Sequence, residues 1–274
     1  MASYQVIKLN GEKEDFSPKK VYYSAIKAGA PAFLAKNISE EIEKEAYNGI
    51  KTKEIFKKVK ERLRKESLQL SLRFNLKEGM KKIGPAGFVF EDFVRQVFSR
   101  LGMKVRGNKI LSGKCCSYEI DFIVEKEGKT SIGECKYRNN GGDKIDVNVC
   151  LKGFAILDDI KSTGNYGADL NFLIVTNSRF TDQAIKYSNC KGIKLLGWDY
   201  PRNEGLEDII DKNKLYPITI LPSFRSYYAE VFKKEGIMLV DDILDLDIVK
   251  FSKKVNIPKN QLESLRREAN TLLK

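Results

Sequence analysis

Residues 118–137, YEIDFIVEKEGKTSIGECKY, constrain the fold of this chain more than any other stretch. They contain two runs in which apolar and polar side chains alternate, separated by a charged turn. Alternation with a period of two is typical of β-strands, because successive side chains point to opposite faces. The pattern predicts a β-hairpin with strands at 118–124 and 129–137.

The turn sets the register of this hairpin. If residues 127–128 (Glu-Gly) form a two-residue turn, Lys126 pairs with Lys129, and counting outward places Asp121 opposite Glu134. A four-residue loop around the same centre gives the same register. The sequence therefore predicts two acidic side chains facing each other across the strands.

Alternation also places Asp121, Glu134 and Lys136 on one face of the hairpin. Opposed side chains have Cβ atoms about 5 Å apart, so two carboxylates there repel each other unless positive charge lies between them. Mg²⁺ prefers oxygen ligands, and a nearby lysine could stabilise charge on a phosphate. The pattern indicates a phosphodiester-hydrolysis site, with an ordinary amphipathic hairpin as the alternative. The opposite face carries an apolar set suited to a core: Ile120, Phe122, Val124 and Cys135.

The segments around the hairpin predict a mixed sheet. An apolar stripe that ends at Gly102 predicts a preceding helix, with Glu91 at the edge of the stripe. A helix is predicted at 147–160, with Asp146 as its candidate cap, and the apolar run LNFLIVTN predicts a buried parallel strand. A hairpin followed by a β-α-β unit gives a sheet with helices on both sides. The unit is completed by a helix in 180–192, capped by Thr181, and a strand in 193–199.

The N-terminal region predicts a small hairpin followed by a helical bundle. Alternation from Tyr4 to Leu9 indicates a strand, and Asn10-Gly11 indicates a tight turn. Capping patterns predict helices that begin at Ser17-Pro18, Ser39 and Thr52.

Changes in the sequence pattern along the chain divide it into three regions. Gly84-Pro85-Ala86-Gly87 interrupts the helical pattern, and helical segments return after Pro201. The predicted fold class is α/β, with an N-terminal hairpin and helical bundle, a central mixed-sheet domain and a helical C-terminal region. The predicted domains are 1–86, 87–200 and 201–274.

Composition narrows the chemistry that the chain can perform. It contains no histidine, which excludes Ser-His-Asp and Cys-His nucleophile chemistry and histidine-ligated zinc. Five cysteines without a CxxC pair argue against a disulfide framework and a structural zinc site. Catalysis would depend on carboxylates, lysines and a metal.

Charge and hydropathy bear on partners and location. A formal net charge of +12 favours a polyanionic partner, although lysine-rich surfaces also serve solubility. No apolar run approaches the roughly 18 residues that span a bilayer, and the N-terminus lacks a signal-peptide pattern. We therefore expect a cytoplasmic protein without a membrane partner.

The order of these features resembles the Mrr-type, restriction endonuclease-like group of the PD-(D/E)xK nuclease superfamily, over about residues 86–200. The stretch GECKYR at 133–138 is similar to the second motif strand of that family, whereas Ile120 stands where the first motif has proline. The resemblance implies a Mg²⁺- or Mn²⁺-dependent DNA endonuclease. It implies a catalytic set of Asp121, Glu134, Lys136 and Glu91, with Asp121, Glu134 and the Cys135 backbone carbonyl as metal ligands.

Residues 3–84 resemble the ATP-cone, a nucleotide-sensing domain. The resemblance rests on YQVIKLNGEKEDFSPKKV, in which Leu9 stands where the family has arginine. It implies that ATP or dATP binds as an effector through Val6, Lys8, Gly11 and Lys20. Lysines on a strand edge and near a helix N-terminus could hold a triphosphate, and the absence of GxxxxGK[ST] predicts binding without hydrolysis. A basic helical domain lying on DNA is the alternative.

The C-terminal residues 201–274 are the least informative. They faintly resemble helix-hairpin-helix modules that contact DNA, and a packing or dimerisation element is at least as consistent with their acidic residues. The expected function is DNA cleavage controlled by an adenine nucleotide in a homo-oligomer. A nucleotide-responsive DNA-binding regulator with an inactive nuclease fold is the alternative.

Overall fold

The structure, a computed structural model, describes residues 4–84, 89–139, 142–166 and 169–274. The chain forms two compact units. Unit 1 comprises Met1–Gly79, Ile220–Phe224 and Ile243–Lys274, and unit 2 comprises Met80–Thr219 and Arg225–Asp242. Residues 201–274, predicted as one helical region, are therefore divided between the units.

The N-terminal part of the chain combines a small sheet with helices, as predicted. The central strand β1 pairs antiparallel with β2 and parallel with β3. The elements in chain order are β1 (Gln5–Ile7), β2 (Lys13–Asp15), α1 (Pro18–Lys27), α2 (Ala32–Glu45), β3 (Ile50–Lys51), α3 (Thr52–Glu66), α4 (Leu68–Phe74) and α5 (Leu76–Lys81).

Helix starts in this region follow the predicted caps in two of three cases. Pro18 occupies the first helical position of α1, and α3 begins at Thr52. The predicted start at Ser39 is wrong, because α2 begins at Ala32 after Pro31. The Ser39 hydroxyl instead donates to the carbonyl of Pro18 at 2.8 Å, which ties α2 to the start of α1. A serine within a helix resembles a helix cap in sequence, because in both positions its hydroxyl can bond to backbone groups.

Unit 2 is built around a five-stranded sheet with the order β10-β8-β6-β5-β4. Strands β4, β5 and β6 pair antiparallel, whereas β6, β8 and β10 pair parallel, which confirms the predicted mixed sheet. Its elements are α6 (Phe90–Arg100), β4 (Lys104–Ser112), β5 (Ser117–Lys126), β6 (Lys129–Lys136), β7 (Lys144–Ile145), α7 (Val147–Lys161), β8 (Asn171–Thr176), β9 (Arg179–Phe180), α8 (Asp182–Lys191), β10 (Lys194–Leu196), α9 (Leu206–Lys212) and α10 (Ala229–Lys234).

Helices cover both faces of this sheet. Ile123 and Ile132 belong to a buried cluster that includes side chains of α7 and α8. From the other face, the Phe122 ring packs edge-on against Phe98 of α6, with ring centroids 5.4 Å apart. Both predicted caps are confirmed: Asp146 accepts from the N–H of Asn148, and Thr181 accepts from that of Ala184.

Strand β4 was not predicted from the sequence. It is an edge strand, and most of its side chains are exposed or half-buried, so it lacks a clear apolar face. Of the predicted break between domains, Pro85, Ala86 and Gly87 lie outside the described residues. No helix in the described ranges combines the length and apolar character needed to cross a membrane.

Two further helices complete unit 1: α11 (Ile248–Val255) and α12 (Lys259–Leu273). Helix α12 packs against α4, and Gln69 donates to the carbonyl of Leu272 at 3.2 Å. Leu262, Leu265 and Leu272 of α12 are fully buried. The end of the chain is thus part of the core of the unit that contains the N-terminal sheet.

Candidate functional site

The central hairpin has the predicted register but forks at the predicted site. Pairing of β5 with β6 runs from Lys126 opposite Lys129 to Phe122 opposite Gly133, and it stops there. Beyond that point β5 stays paired with β4, whereas β6 stays paired with β8 as far as Lys136. The two strands therefore separate where Asp121 and Glu134 would face each other.

The Asp121 carboxylate fills this fork. Its Oδ2 accepts a hydrogen bond from the Cys135 N–H at 2.7 Å, taking the place of a backbone carbonyl of β5. Because the N–H and C=O of one strand residue point to the same neighbour, the Cys135 carbonyl also faces this side. Burial raises the pKa of Asp121 above its ordinary value, the Cys135 N–H opposes that rise, and Glu134 adds to it.

Glu134 lies beside two lysines. Lys136 pairs with Oε1, and Lys152 of α7 approaches the same oxygen at 3.4 Å. The other oxygen, Oε2, is buried without a hydrogen-bond partner among the described residues. A buried carboxylate oxygen without a partner is costly, so its position is suited to a ligand that supplies positive charge.

Lys136 is held at the end of β6 by its backbone. The hydroxyl of Thr176, fully buried at the end of β8, donates to the Lys136 carbonyl at 2.6 Å. Parallel pairing of β6 with β8 continues through these two residues. The lysine is therefore presented from the centre of the sheet rather than from a loop.

Glu91, in the first turn of α6, lies close enough to interact with Asp121. Burial raises the pKa of Glu91, and the charge of Asp121 raises it further. A raised pKa in a partly buried acid that lies near a second acid is a pattern common at functional sites. The structure thus brings together the four residues of the predicted catalytic set.

The donors available at the fork are suited to a hard cation. Two carboxylates and the Cys135 carbonyl could supply oxygen ligands, the type that Mg²⁺ prefers. The Cys135 thiol is buried, and burial raises its pKa well above the ordinary value, which disfavours the thiolate that binds metals. No group of three or more His, Cys, Asp or Glu side chains poised for a metal occurs in the described segments.

Sequence reasoning missed two residues at this site. Arg95 donates to the backbone carbonyl of Asp121 at 2.8 Å, and Lys152 contacts Glu134. Arg95 lies four residues after Glu91, which places both on one face of α6. The position of Arg95 near the site could therefore have been predicted from the helical period. Lys152 could be found only by knowing where α7 packs.

A second cluster of predicted residues lies in the N-terminal sheet. Lys8 and Lys20 both approach Oε2 of Glu14, at 3.3 and 3.0 Å, and Lys8 also pairs with Glu12. A hydrogen bond to Glu14 raises the pKa of Lys8, and a hydrogen bond from Lys20 lowers that of Glu14. The two lysines therefore form one cationic site around a carboxylate.

The other two predicted nucleotide residues have different surroundings. Gly11 has a φ of 84° in the turn between β1 and β2, a conformation that glycine adopts at low cost, and the space above it is open. Val6 is 3% exposed and pairs with strands on both sides. Its side chain lies in the core, away from the lysines' exposed surface.

Family models match both ends of the chain. Residues 4–76 match the ATP cone domain, which confirms the predicted cone, and residues 216–273 match the model described as AF1548-like, C-terminal. Together they leave the segment with the forked sheet outside either match.

Relatives match larger shares of the chain. An uncharacterized protein of Archaeoglobus fulgidus is 34% identical over 147 residues, which cover 52% of this chain and 79% of the relative. The solved structure of a protein of unknown function, AF1548, is 27% identical with a TM-score of 0.57, covering 67% of this chain and 96% of that one. A repair endonuclease from Pyrococcus abyssi is 19% identical with a TM-score of 0.31, over 38% of this chain and 44% of that one. The chain therefore belongs to the family of the Archaeoglobus fulgidus protein and carries an ATP cone at its N-terminal end and an AF1548-like region at its C-terminal end.

Proposed function

We propose that the chain is a metal-dependent DNA endonuclease controlled by an adenine nucleotide. The observation that carries this proposal is the fork between β5 and β6, where the Asp121 carboxylate, the Cys135 peptide and Glu134 meet beside Lys136. Their oxygens are the donors that Mg²⁺ or Mn²⁺ prefers, and the unpaired Oε2 of Glu134 supports a cation at this place.

In the proposed site Asp121, Glu134 and the Cys135 carbonyl would hold the cation. A divalent cation supplies Lewis-acid charge that makes water a better nucleophile and offsets the charge of a phosphate. Lys136 holds Oε1 of Glu134 in place and presents positive charge to an incoming phosphodiester. Glu91, whose pKa is raised by burial and by Asp121, retains its proton to higher pH than an exposed glutamate.

DNA as substrate is favoured by charge. The net charge of +12 gives the chain a long-range attraction for a polyanion. Lys152 is 63% exposed and lies beside Glu134, so its ammonium is available to a phosphate of the substrate. Contacts of a lysine with phosphates form with DNA of any base sequence, which is consistent with a site that recognises the DNA backbone.

Control by ATP or dATP is proposed through the cone. Lys8 and Lys20 surround Glu14, and a phosphate group that entered there would replace this carboxylate as their partner. The chain has no P-loop sequence, so the nucleotide would act without being hydrolysed. An effector changes activity only if it binds one state better than another, and the proposed states differ in oligomerisation.

The test is incubation of the full chain with supercoiled plasmid and Mg²⁺, with and without ATP. Nicking that requires Mg²⁺ and changes with ATP supports the proposal. A chain that binds duplex, branched or single-stranded DNA but cuts none of them with Mg²⁺ or Mn²⁺ would instead be a nucleotide-responsive DNA-binding regulator.

A further inference from the structure

We propose that Arg95 is the positioning residue for Asp121, and that residue 107 is glycine so that the Arg95 guanidinium can reach the fork. This inference rests on the proposed cation site of the nuclease. It assigns a role to a side chain outside the predicted catalytic set, and it explains why β4 contains a glycine beside that site.

Arg95 connects three elements of unit 2. Its Nη1 donates to the Asp121 carbonyl at 2.8 Å and to Oδ1 of Asn108 at 3.0 Å, while Nη2 pairs with Asp92 on its own helix. Its side chain is 18% exposed. A guanidinium has its donors in a rigid plane, so several fixed acceptors hold it in one orientation.

Gly107 provides the space that this arrangement needs. A Cβ at residue 107 would lie 2.5 Å from Cδ, 2.6 Å from Nε and 2.8 Å from Cζ of Arg95. These separations are well below an ordinary van der Waals contact of about 3.5–4.0 Å. Any side chain at this position would displace the guanidinium.

Asn108 shows why the Asp121 carbonyl needs a donor from a side chain. Strands β4 and β5 pair through Gly107 with Phe122 and through Lys109 with Ile120. Asn108 and Asp121 lie between these two pairs. Asn108 has a φ of 45°, in the left-handed region that asparagine tolerates better than most residues. Arg95 binds acceptors on both strands at this irregular position.

The backbone of Asp121 determines where its carboxylate points. With the carbonyl held by Arg95 and Oδ2 held by the Cys135 N–H, both ends of the residue are fixed before any cation arrives. Partners that orient a metal ligand are typically worth about 10–100-fold in metal affinity or activity. We expect a loss of metal affinity of that size when Arg95 is replaced or when a side chain at residue 107 fills the space that Arg95 occupies.

The experiment measures Mn²⁺ binding to the full chain by calorimetry, without DNA, alongside the half-saturating Mg²⁺ concentration for plasmid nicking. The single variants are Arg95→Met, Arg95→Lys, Arg95→Ala and Gly107→Ala, and a double variant combines Arg95→Ala with Gly107→Ala. Arg100→Met is the matched control, because Arg100 lies on the same helix and pairs with Asp241 and Asp242. Melting temperatures of all variants report their folding.

Arg95→Met and Gly107→Ala should weaken Mn²⁺ binding about 10–100-fold, Arg95→Lys should recover part of it, and Arg100→Met should leave it unchanged. In the background of Arg95→Ala, Gly107→Ala should cost little more, because the two changes act on one contact. Mn²⁺ affinity within about twofold of wild type in both Arg95→Met and Gly107→Ala would overturn the proposal. So would equal losses in Arg95→Met and Arg100→Met.

The same data separate this inference from the proposed function. If Asp121→Asn abolishes Mn²⁺ binding and the Arg95 variants weaken it, but no DNA is cut, the positioning role stands and the nuclease function fails. If the wild type binds no Mn²⁺ that depends on Asp121, the positioning role is wrong.

Discussion

The forked sheet of unit 2 and the small N-terminal sheet of unit 1 each place a glutamate beside two lysines. Glu134 lies beside Lys136 and Lys152, and Glu14 lies between Lys8 and Lys20. The glutamates differ in burial: the side chain of Glu134 is 14% exposed and that of Glu14 is 29% exposed.

That difference changes what each carboxylate can do. Glu134 projects from the middle strand of a five-stranded sheet and has a buried oxygen without a described partner, so it is suited to bind a ligand itself. Glu14 lies on the edge strand β2, and its Oε2 is bound by both lysines. It is suited to be displaced by another anion. Under the proposed function, the same residue types would bind a cation in one sheet and a phosphate in the other.

The largest expected effect is on the Glu134 side of the comparison. Glu134→Gln keeps the shape but removes a charged ligand, so Mg²⁺-dependent nicking should fall at least about 100-fold. DNA affinity should hold or improve, because the substitution removes negative charge from the site. Plasmid nicking and fluorescence anisotropy measure the two quantities.

Glu125→Gln is the matched control, because Glu125 lies on the same hairpin and pairs with Arg106 at the surface. It should leave nicking near the wild-type rate. Equal nicking by the Glu134→Gln variant and the wild type would remove Glu134 from the chemistry.

On the Glu14 side, Lys8→Ala should weaken binding of ATP or dATP about tenfold, since one charge-assisted contact to a phosphate is lost. Isothermal titration with the full chain measures the affinity, and light scattering measures whether the nucleotide changes the oligomeric state. Lys13→Ala, an exposed lysine on the neighbouring strand, is the control. Equal affinity in the wild type and Lys8→Ala would favour a DNA-docking role for this surface.

Glu14→Gln should strengthen nucleotide binding a few-fold, in contrast to the weaker binding expected for Lys8→Ala. The amide no longer competes as an anion for Lys8 and Lys20, so the lysines are free for a phosphate. The same titration measures this change. Weaker binding in Glu14→Gln would mean that this glutamate contacts the nucleotide directly.

The smallest expected effect is on stability. Burial raises the pKa of Asp121, so the folded state binds more protons than the unfolded state and stability falls as pH rises from about 4, the unfolded pKa, through the folded pKa. Asp121→Asn removes this penalty and should raise the melting temperature at pH 7.

Melting curves between pH 4 and pH 8 test the sign, since the gain in Asp121→Asn should shrink toward acid pH. Glu14→Gln provides the opposite case, because the Lys20 hydrogen bond lowers the pKa of Glu14. Its charge therefore contributes stability above the unfolded pKa, and this contribution is lost as pH falls. A lower melting temperature for Asp121→Asn at pH 7 would contradict the assigned cause.

Much of the fold and part of the site could be predicted from local patterns. The hairpin register was predictable because strand alternation has a period of two and the turn sets the pairing. The cap at Thr181 was predictable because it depends on residues within one turn. Edge strand β4 was not, because exposed side chains leave no apolar pattern to detect.

The sequence by itself determined which side chains could meet, since the register that brings Asp121 toward Glu134 depends on residues within the hairpin. Only the tertiary structure decided how they meet. The fork arises because β5 stays with β4 and β6 stays with β8, and these pairings join segments distant in the chain. The hold of Arg95 on Asp121 likewise depends on where α6 packs, which no local spacing specifies.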